Sequence, residues 1–139
     1  MFHRIVHAND GSENAFSAFE TAARLTGLCD AHLDVILIEE LSPRSGTISE
    51  VHERKASEDR QLRERKRRIG EIARRHAVSV EVHTFAGHPV KRIVEFVEKT
   101  GADLLVIGAT EHRDLGELIF GRRSDRVTHN AICSVLIAR

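Results

Sequence analysis

The stretch GATEHRDLGELIFGRRSDR, residues 108–126, holds the residue types most able to do chemistry in this chain. Gly108 ends an apolar run where the backbone must turn, and Gly121 stands where a following helix would open. A helix start offers free N–H groups and the positive end of its dipole, both of which attract phosphate. Arg122, Arg123 and Ser124 follow, and a guanidinium pairs bidentately with phosphate oxygens. Glu111 works against this, because a carboxylate beside a phosphate is repulsive. The arginines can offset it by binding phosphate, or by pairing with Glu111 itself; the residues alone leave both open. The bland alternatives are a turn glycine, a cap glycine and solvated surface arginines.

Other chemistries find less support. The nine histidines are scattered, with no helical H-x-x-x-H pair and no Cys-x-x-Cys partner, so no metal site is expected. His3 and His7 would share one strand face. No nucleophile stands at a recognisable spacing from a base, so the chain does not read as an enzyme. The dinucleotide fingerprint G-x-G-x-x-G is absent after the first strand, and the Walker sequence is absent throughout. The arginine-rich segment 54–75 is interleaved with Glu53, Glu58, Asp59, Glu64 and Glu71, which fits an ion-paired solvated face and not a nucleic-acid surface.

The elements that must position these residues alternate. Ile5 and Val6 lie in a first strand. Ala15, Ala18, Phe19 and Ala22 then recur at helical spacing, with a stop near Gly27. LDVILI, residues 33–38, is apolar throughout, as a strand buried on both faces should be. Residues 51–76 read as a surface helix, and VSVEVHTF as a third strand. Pro89 suits a first helical position, Val90, Ile93, Val94 and Val97 form an apolar face, and Gly101 suits a C-terminal cap. LLVIG, a further helix and SVLIA complete a β-α-β-α-β-α-β-α-β order. That order predicts an α/β, Rossmann-like, doubly wound sheet of five parallel strands with helices on both faces. In such sheets ligands bind beyond the carboxyl ends of the strands, where strand order reverses. The loops concerned begin at Ala8-Asn9-Asp10, at Ile38 and at Gly108. Asp10 followed by Glu13 fits a helix N-cap with an acidic third residue.

With 139 residues, 41% hydrophobic, and 21 basic against 21 acidic side chains, the chain reads as a single domain, 1–139, with no global field toward nucleic acid or membrane. No apolar run suits a signal peptide or reaches the roughly 18 residues of a membrane helix, so a cytoplasmic location is expected. Cys29 and Cys133 each adjoin an apolar strand-like run and read as reduced thiols.

Three segments together resemble the universal stress protein family over nearly the whole chain. IVHANDGSE is similar to the family's first strand ending in Val-Asp-x-Ser. GHPVKRIVEFVEKTGADLLVIGA matches its Gly-x-Pro, helix and Ala-Asp-Leu-Leu-Val-hydrophobic-Gly run. DRVTHNAICSVLIAR is similar to its closing helix, turn and final strand, with Ile132 and Ser134 where prolines are usual. The resemblance implies a regulator in stress response that binds an adenine nucleotide, ATP foremost, as a signal and without a metal site of its own. A nucleotide-free dimeric interaction module of the same family is the alternative. ATP-binding members carry G-x2-G-x9-G-[ST] after the fourth strand; Gly108 and Gly121 fit it, Glu111 replaces the middle glycine and Arg122 the hydroxyl residue, while Ser124 keeps a hydroxyl nearby. The implied nucleotide contacts are Ala8, Asn9, Asp10, the backbone of Ile38, Gly108, Gly121, Arg122, Arg123 and Ser124. A homodimer through Ser134 to Ala138 is also implied, and it would cover an apolar strand at a sheet edge.

Overall fold

The computed structural model describes residues 1–39, 45–109 and 133–139. Its strands are β1 (Arg4–Asn9), β2 (His32–Glu39), β3 (Glu81–Ala86), β4 (Leu104–Gly108) and β5 (Ser134–Ala138), and its helices are α1 (Glu13–Cys29), α2 (Ile48–Arg75) and α3 (Pro89–Thr100). The five strands form one sheet in the order β3-β2-β1-β4-β5, with every neighbouring pair parallel. The chain winds outward from β1 to β3, then crosses back to β4 and on to β5. Crossovers of one hand must pass over opposite faces when the direction of winding reverses. α1 and α2 accordingly pack on one face and α3 on the other.

Period-2 alternation sends successive strand residues to these two cores. Ile5, Leu33, Val35, Leu37, Leu104 and Val106 face α1 and α2, where Phe16, Phe19, Ile69 and Ile72 meet them. Val6, Ala8, Ile36, Leu105 and Ile107 face Val90, Ile93, Phe96 and Val97 of α3. Residues 33–37 of β2 are all buried, which accounts for the unbroken apolar run there. α1 presents Ala15, Ala18, Ala22 and Ala23 to the sheet, and these small side chains let it lie close; Phe19 fills the remaining space at 0% exposure.

The predicted caps hold at α3, where Pro89 opens the helix and Gly101 closes it at φ 67°. α1 differs. It runs past Gly27 to Cys29, and Asp30 adopts the left-handed cap conformation at φ 52°, its N–H donating to the Thr26 carbonyl. Aspartate tolerates that region because its short polar side chain can bond locally. The third strand begins at Glu81, three residues later than VSVEVHTF implies. The helix expected between β4 and β5 lies outside the described residues. On α2, Arg67 pairs with Glu64 and Glu71, the ion-paired face its composition implies. Both cysteines are free thiols, and burial pushes Cys133 up to about 11, far from thiolate chemistry. Among the described residues, no helix is long and apolar enough to cross a membrane.

Candidate functional site

Strand order reverses between β1 and β4, so the crevice beyond their carboxyl ends is the place where an open α/β sheet accepts a ligand. β1 delivers Asn9, Asp10 and Gly11 there, β4 delivers Gly108, and α1 opens at the same point. The sequence folds this way locally through a chain of hydrogen bonds. The Gly11 N–H donates to Asn9 Oδ1 at 2.8 Å, which fixes the orientation of the Asn9 amide. Asn9 Nδ2 therefore donates to His7 Nε2 at 3.2 Å, leaving the proton on Nδ1, and that N–H donates to the Val106 carbonyl at 3.0 Å. His7 and Asn9 are 0% and 3% exposed, so this relay ties β4 to the β1–α1 loop from inside the protein. Gly11 takes φ 89°, a conformation that only glycine enters freely, and its bare Cα faces the Arg65 guanidinium of α2.

Asp10 does not cap α1. Its Oδ1 accepts the Ser12 N–H at 3.0 Å, closing a local turn, and Ser12 is the cap, its Oγ accepting the Ala15 N–H at 3.1 Å. Two polar residues on either side of Gly11 divide the work that the sequence assigns to one. Glu13, in the first turn, pairs through both oxygens with Arg68, at 2.8 and 2.7 Å. Arg68 holds the Glu13 carboxyl below its ordinary value and lies over the Phe16 ring at 4.0 Å. α2 is thereby fastened to the opening turn of α1.

The structure thus brings Ala8, Asn9, Asp10 and Gly108 to one crevice, with Ile38 one strand further along. Ala8 and Ile38 put their side chains into the α3-side core, so only their backbone groups are available to a ligand. The side chain of Asn9 is engaged by His7 and Gly11. Asp10 is exposed. Gly108 is pressed against α1: a Cβ there would stand 3.1–3.2 Å from the backbone of Asn14 and Ala15. Glu111, Gly121, Arg122, Arg123 and Ser124 lie outside the described residues. His7, Arg65 and Arg68 escape the sequence reading because only the tertiary fold brings them to the loop.

A second polar group occupies the opposite end of the sheet, on the α3 face. Asp34, the third residue of β2, has a side chain with 0% exposure, and Arg4 Nε donates to its Oδ2 at 2.8 Å. His83 Nε2 lies 2.8 Å from its Oδ1 and His32 Nε2 3.3 Å away. Burial alone would raise the Asp34 carboxyl, but the hydrogen bonds from His83 and Arg4 outweigh it and hold the group below its ordinary value. A search for helical histidine pairs passes this group over. Its signal is H-x-D at residues 32–34 and E-x-H at 81–83, each on one face of a strand.

The sheet order and the reversal between β1 and β4 define a doubly wound, Rossmann-like α/β protein. The model of the universal stress protein family matches residues 1–139, and the chain belongs to that family. It is 30% identical over 141 residues to universal stress protein MJ0531 of Methanocaldococcus jannaschii, covering 100% of this chain and 83% of that protein. It is 31% identical over 121 residues to universal stress protein A homolog 2 of Coxiella burnetii, covering 86% and 82%. Solved structures share the fold: a universal stress protein in complex with cAMP at TM-score 0.66 and 20% identity, covering 99% of this chain and 97% of that one. The universal stress protein of Archaeoglobus fulgidus in complex with dAMP is similar at TM-score 0.52 and 20% identity, covering 100% and 98%.

Proposed function

We propose that this protein is a cytoplasmic regulator that binds an adenine nucleotide, ATP foremost, as a signal in stress adaptation and not as a substrate. The observation that carries the reading is the convergence of Asn9, Asp10, Gly108 and the start of α1 at the point of strand reversal. An adenine edge would meet the backbone of Ile38, and Asp10 stands exposed for the ribose. Phosphates would lie toward Gly108 and the segment that carries Gly121, Arg122, Arg123 and Ser124. The complexes of two relatives with cAMP and dAMP support an adenine ligand in this architecture. A charge-assisted arginine contact contributes about 1.5–3 kcal/mol, enough to offset Glu111 when that side chain rotates away or is paired.

A second reading follows from Gly108. The approach of Asn14 by itself accounts for a glycine there, so that residue serves equally in a nucleotide-free dimeric interaction module. Calorimetry with ATP, ADP, AMP and cAMP separates the two readings. The parent protein should bind, and Arg122→Ala with Arg123→Ala should weaken ATP more than AMP. Binding only after Glu111→Gly would mark a disabled site, and no binding by any variant would leave the interaction module.

A further inference from the structure

We infer that His32, Asp34 and Glu81 form a binding site for a borderline divalent transition ion, Zn2+ foremost, at the end of the sheet remote from the nucleotide crevice. The inference is independent of the nucleotide reading. It starts from strand register. Parallel pairing sets Asp34 opposite Glu81 and Ile36 opposite His83, while period 2 puts His32 and Asp34 on one face of β2 and Glu81 and His83 on the same face of β3. Two imidazoles and two carboxylates are thereby gathered on adjacent strands by the backbone, before any side chain rotates.

The donor atoms of His32, Asp34 and Glu81 all lie within 4.8 Å of one another. His32 Nε2 is 3.3 Å from Asp34 Oδ1 and 3.7 Å from Glu81 Oε1. Zinc bonds of about 2.0–2.2 Å to nitrogen and oxygen, arranged tetrahedrally, require donor separations of about 3.3–3.6 Å. Small rotations of the exposed His32 and Glu81 side chains cover the remaining difference. The electrostatics point the same way. Carboxylates directly opposite on neighbouring strands repel. Arg4 compensates Asp34 through Oδ2, whereas the ion-pair partners of Glu81 among the described residues are His32 and His83. A divalent ion between Asp34 Oδ1 and Glu81 would remove the repulsion.

The surrounding groups suit such a site. Arg4 and His83 hold the Asp34 carboxylate from two sides, the kind of outer support that orients metal ligands, and the His83 ring packs on Phe96 of α3 at 4.7 Å. His32 and Glu81 are 42% and 62% exposed, which leaves an entry path and a fourth position for water or a further ligand. One imidazole with two carboxylates is a donor set for Zn2+ and its neighbours in the transition series.

The test uses the full chain stripped with chelator and dialysed. Zn2+ titrated in competition with a chromophoric chelator should give one ion per chain, and Co2+ should develop the intense visible bands of a low-coordinate site. His32→Ala and Glu81→Gln replace exposed side chains and leave the core intact; each should weaken Zn2+ binding at least about tenfold, and the pair should abolish the Co2+ bands. His52→Ala, on the exposed face of α2, should change neither. Equal Zn2+ affinity in the double variant, equal loss in His52→Ala, or a Co2+ spectrum identical to that of the free ion would overturn the assignment.

Discussion

Gly108 lies against Asn14, so close that a Cβ on the glycine would stand 3.1 Å from the Asn14 carbonyl carbon. The contact joins the end of β4 to the first turn of α1, and backbone cannot retreat as a flexible side chain would. Gly108→Ala should therefore cost about 1–3 kcal/mol, the usual range for overpacking, and Gly108→Val more. Urea unfolding measures it; an alanine variant as stable as the parent would show that α1 moves aside freely.

The relay from Gly11 through Asn9 and His7 to Val106 gives a second expectation. Asn9→Ala removes the acceptor of the half-buried Gly11 N–H and the buried hydrogen bond to His7 Nε2, which should cost about 1–3 kcal/mol. Amide exchange at Gly11 should rise in the same variant. A stability change below about 0.5 kcal/mol would mean that water replaces the amide.

Asp103 closes the other end of β1. Its Oδ2 accepts the His3 N–H at 2.8 Å and its Oδ1 the Arg4 N–H at 3.0 Å. Burial pushes its carboxyl up, but those backbone donors outweigh burial and hold it below its ordinary value. A depressed carboxyl adds stability at pH above its unfolded value of about 3.9, and that stability is lost as pH falls through the folded value. Asp103→Asn, with one acceptor oxygen for two donors, should be less stable than the parent near about pH 6. The gap should narrow toward about pH 3. A gap independent of pH would assign the effect to shape and not to charge.

β5 is the edge strand beside β4, and Ile137 on it is 50% exposed. We expect two copies to pair along this edge. Leu136 packs toward the α1 core, so Ile137→Lys is the cleaner probe: it adds charge at the edge without entering the core. Light scattering should show a dimer for the parent and a monomer for the variant, with unchanged circular dichroism. A persistent dimer would take β5 out of the interface.

What the sequence discloses, and what it withholds, follows physical lines. The run at 33–38 announces a doubly covered strand because both faces are apolar, and Pro89 and Gly101 announce α3 because each residue suits few other conformations. Alternation of periods is enough for the doubly wound order. The end of α1 is misjudged because glycine is the commoner left-handed residue, and Asp30 supplies that conformation instead. Asp10 is given the cap because its spacing to Glu13 fits, while Ser12, two residues later, does the capping. The crevice is legible as a set of strand ends. The relay through His7 and the group around Asp34 are not, because both depend on which residues stand opposite one another across neighbouring strands. Local spacing puts His32 with Asp34 and Glu81 with His83 on one strand face each, but which strand lies beside which is a tertiary property that it does not encode.

α2 is longer than the sheet it lies on. Its 28 residues span about 42 Å at 1.5 Å each, against about 26 Å for the eight residues of β2. Its buried residues, Ile69, Ile72 and Ala73, all fall in the final two turns. The first four turns, opened by the capping box of Thr47 and Glu50, contribute no buried residue and rest on helical propensity, which sustains an isolated helix only marginally in water. Melting of this portion needs no disturbance of the sheet. Deuterium should enter the amides from about Val51 to Gln61 through local fraying, orders of magnitude sooner than those from Ile69 to Ala73, whose exchange should wait for global opening. A partner that laid itself along that outer portion would register as slowed exchange there, with the sheet amides unchanged.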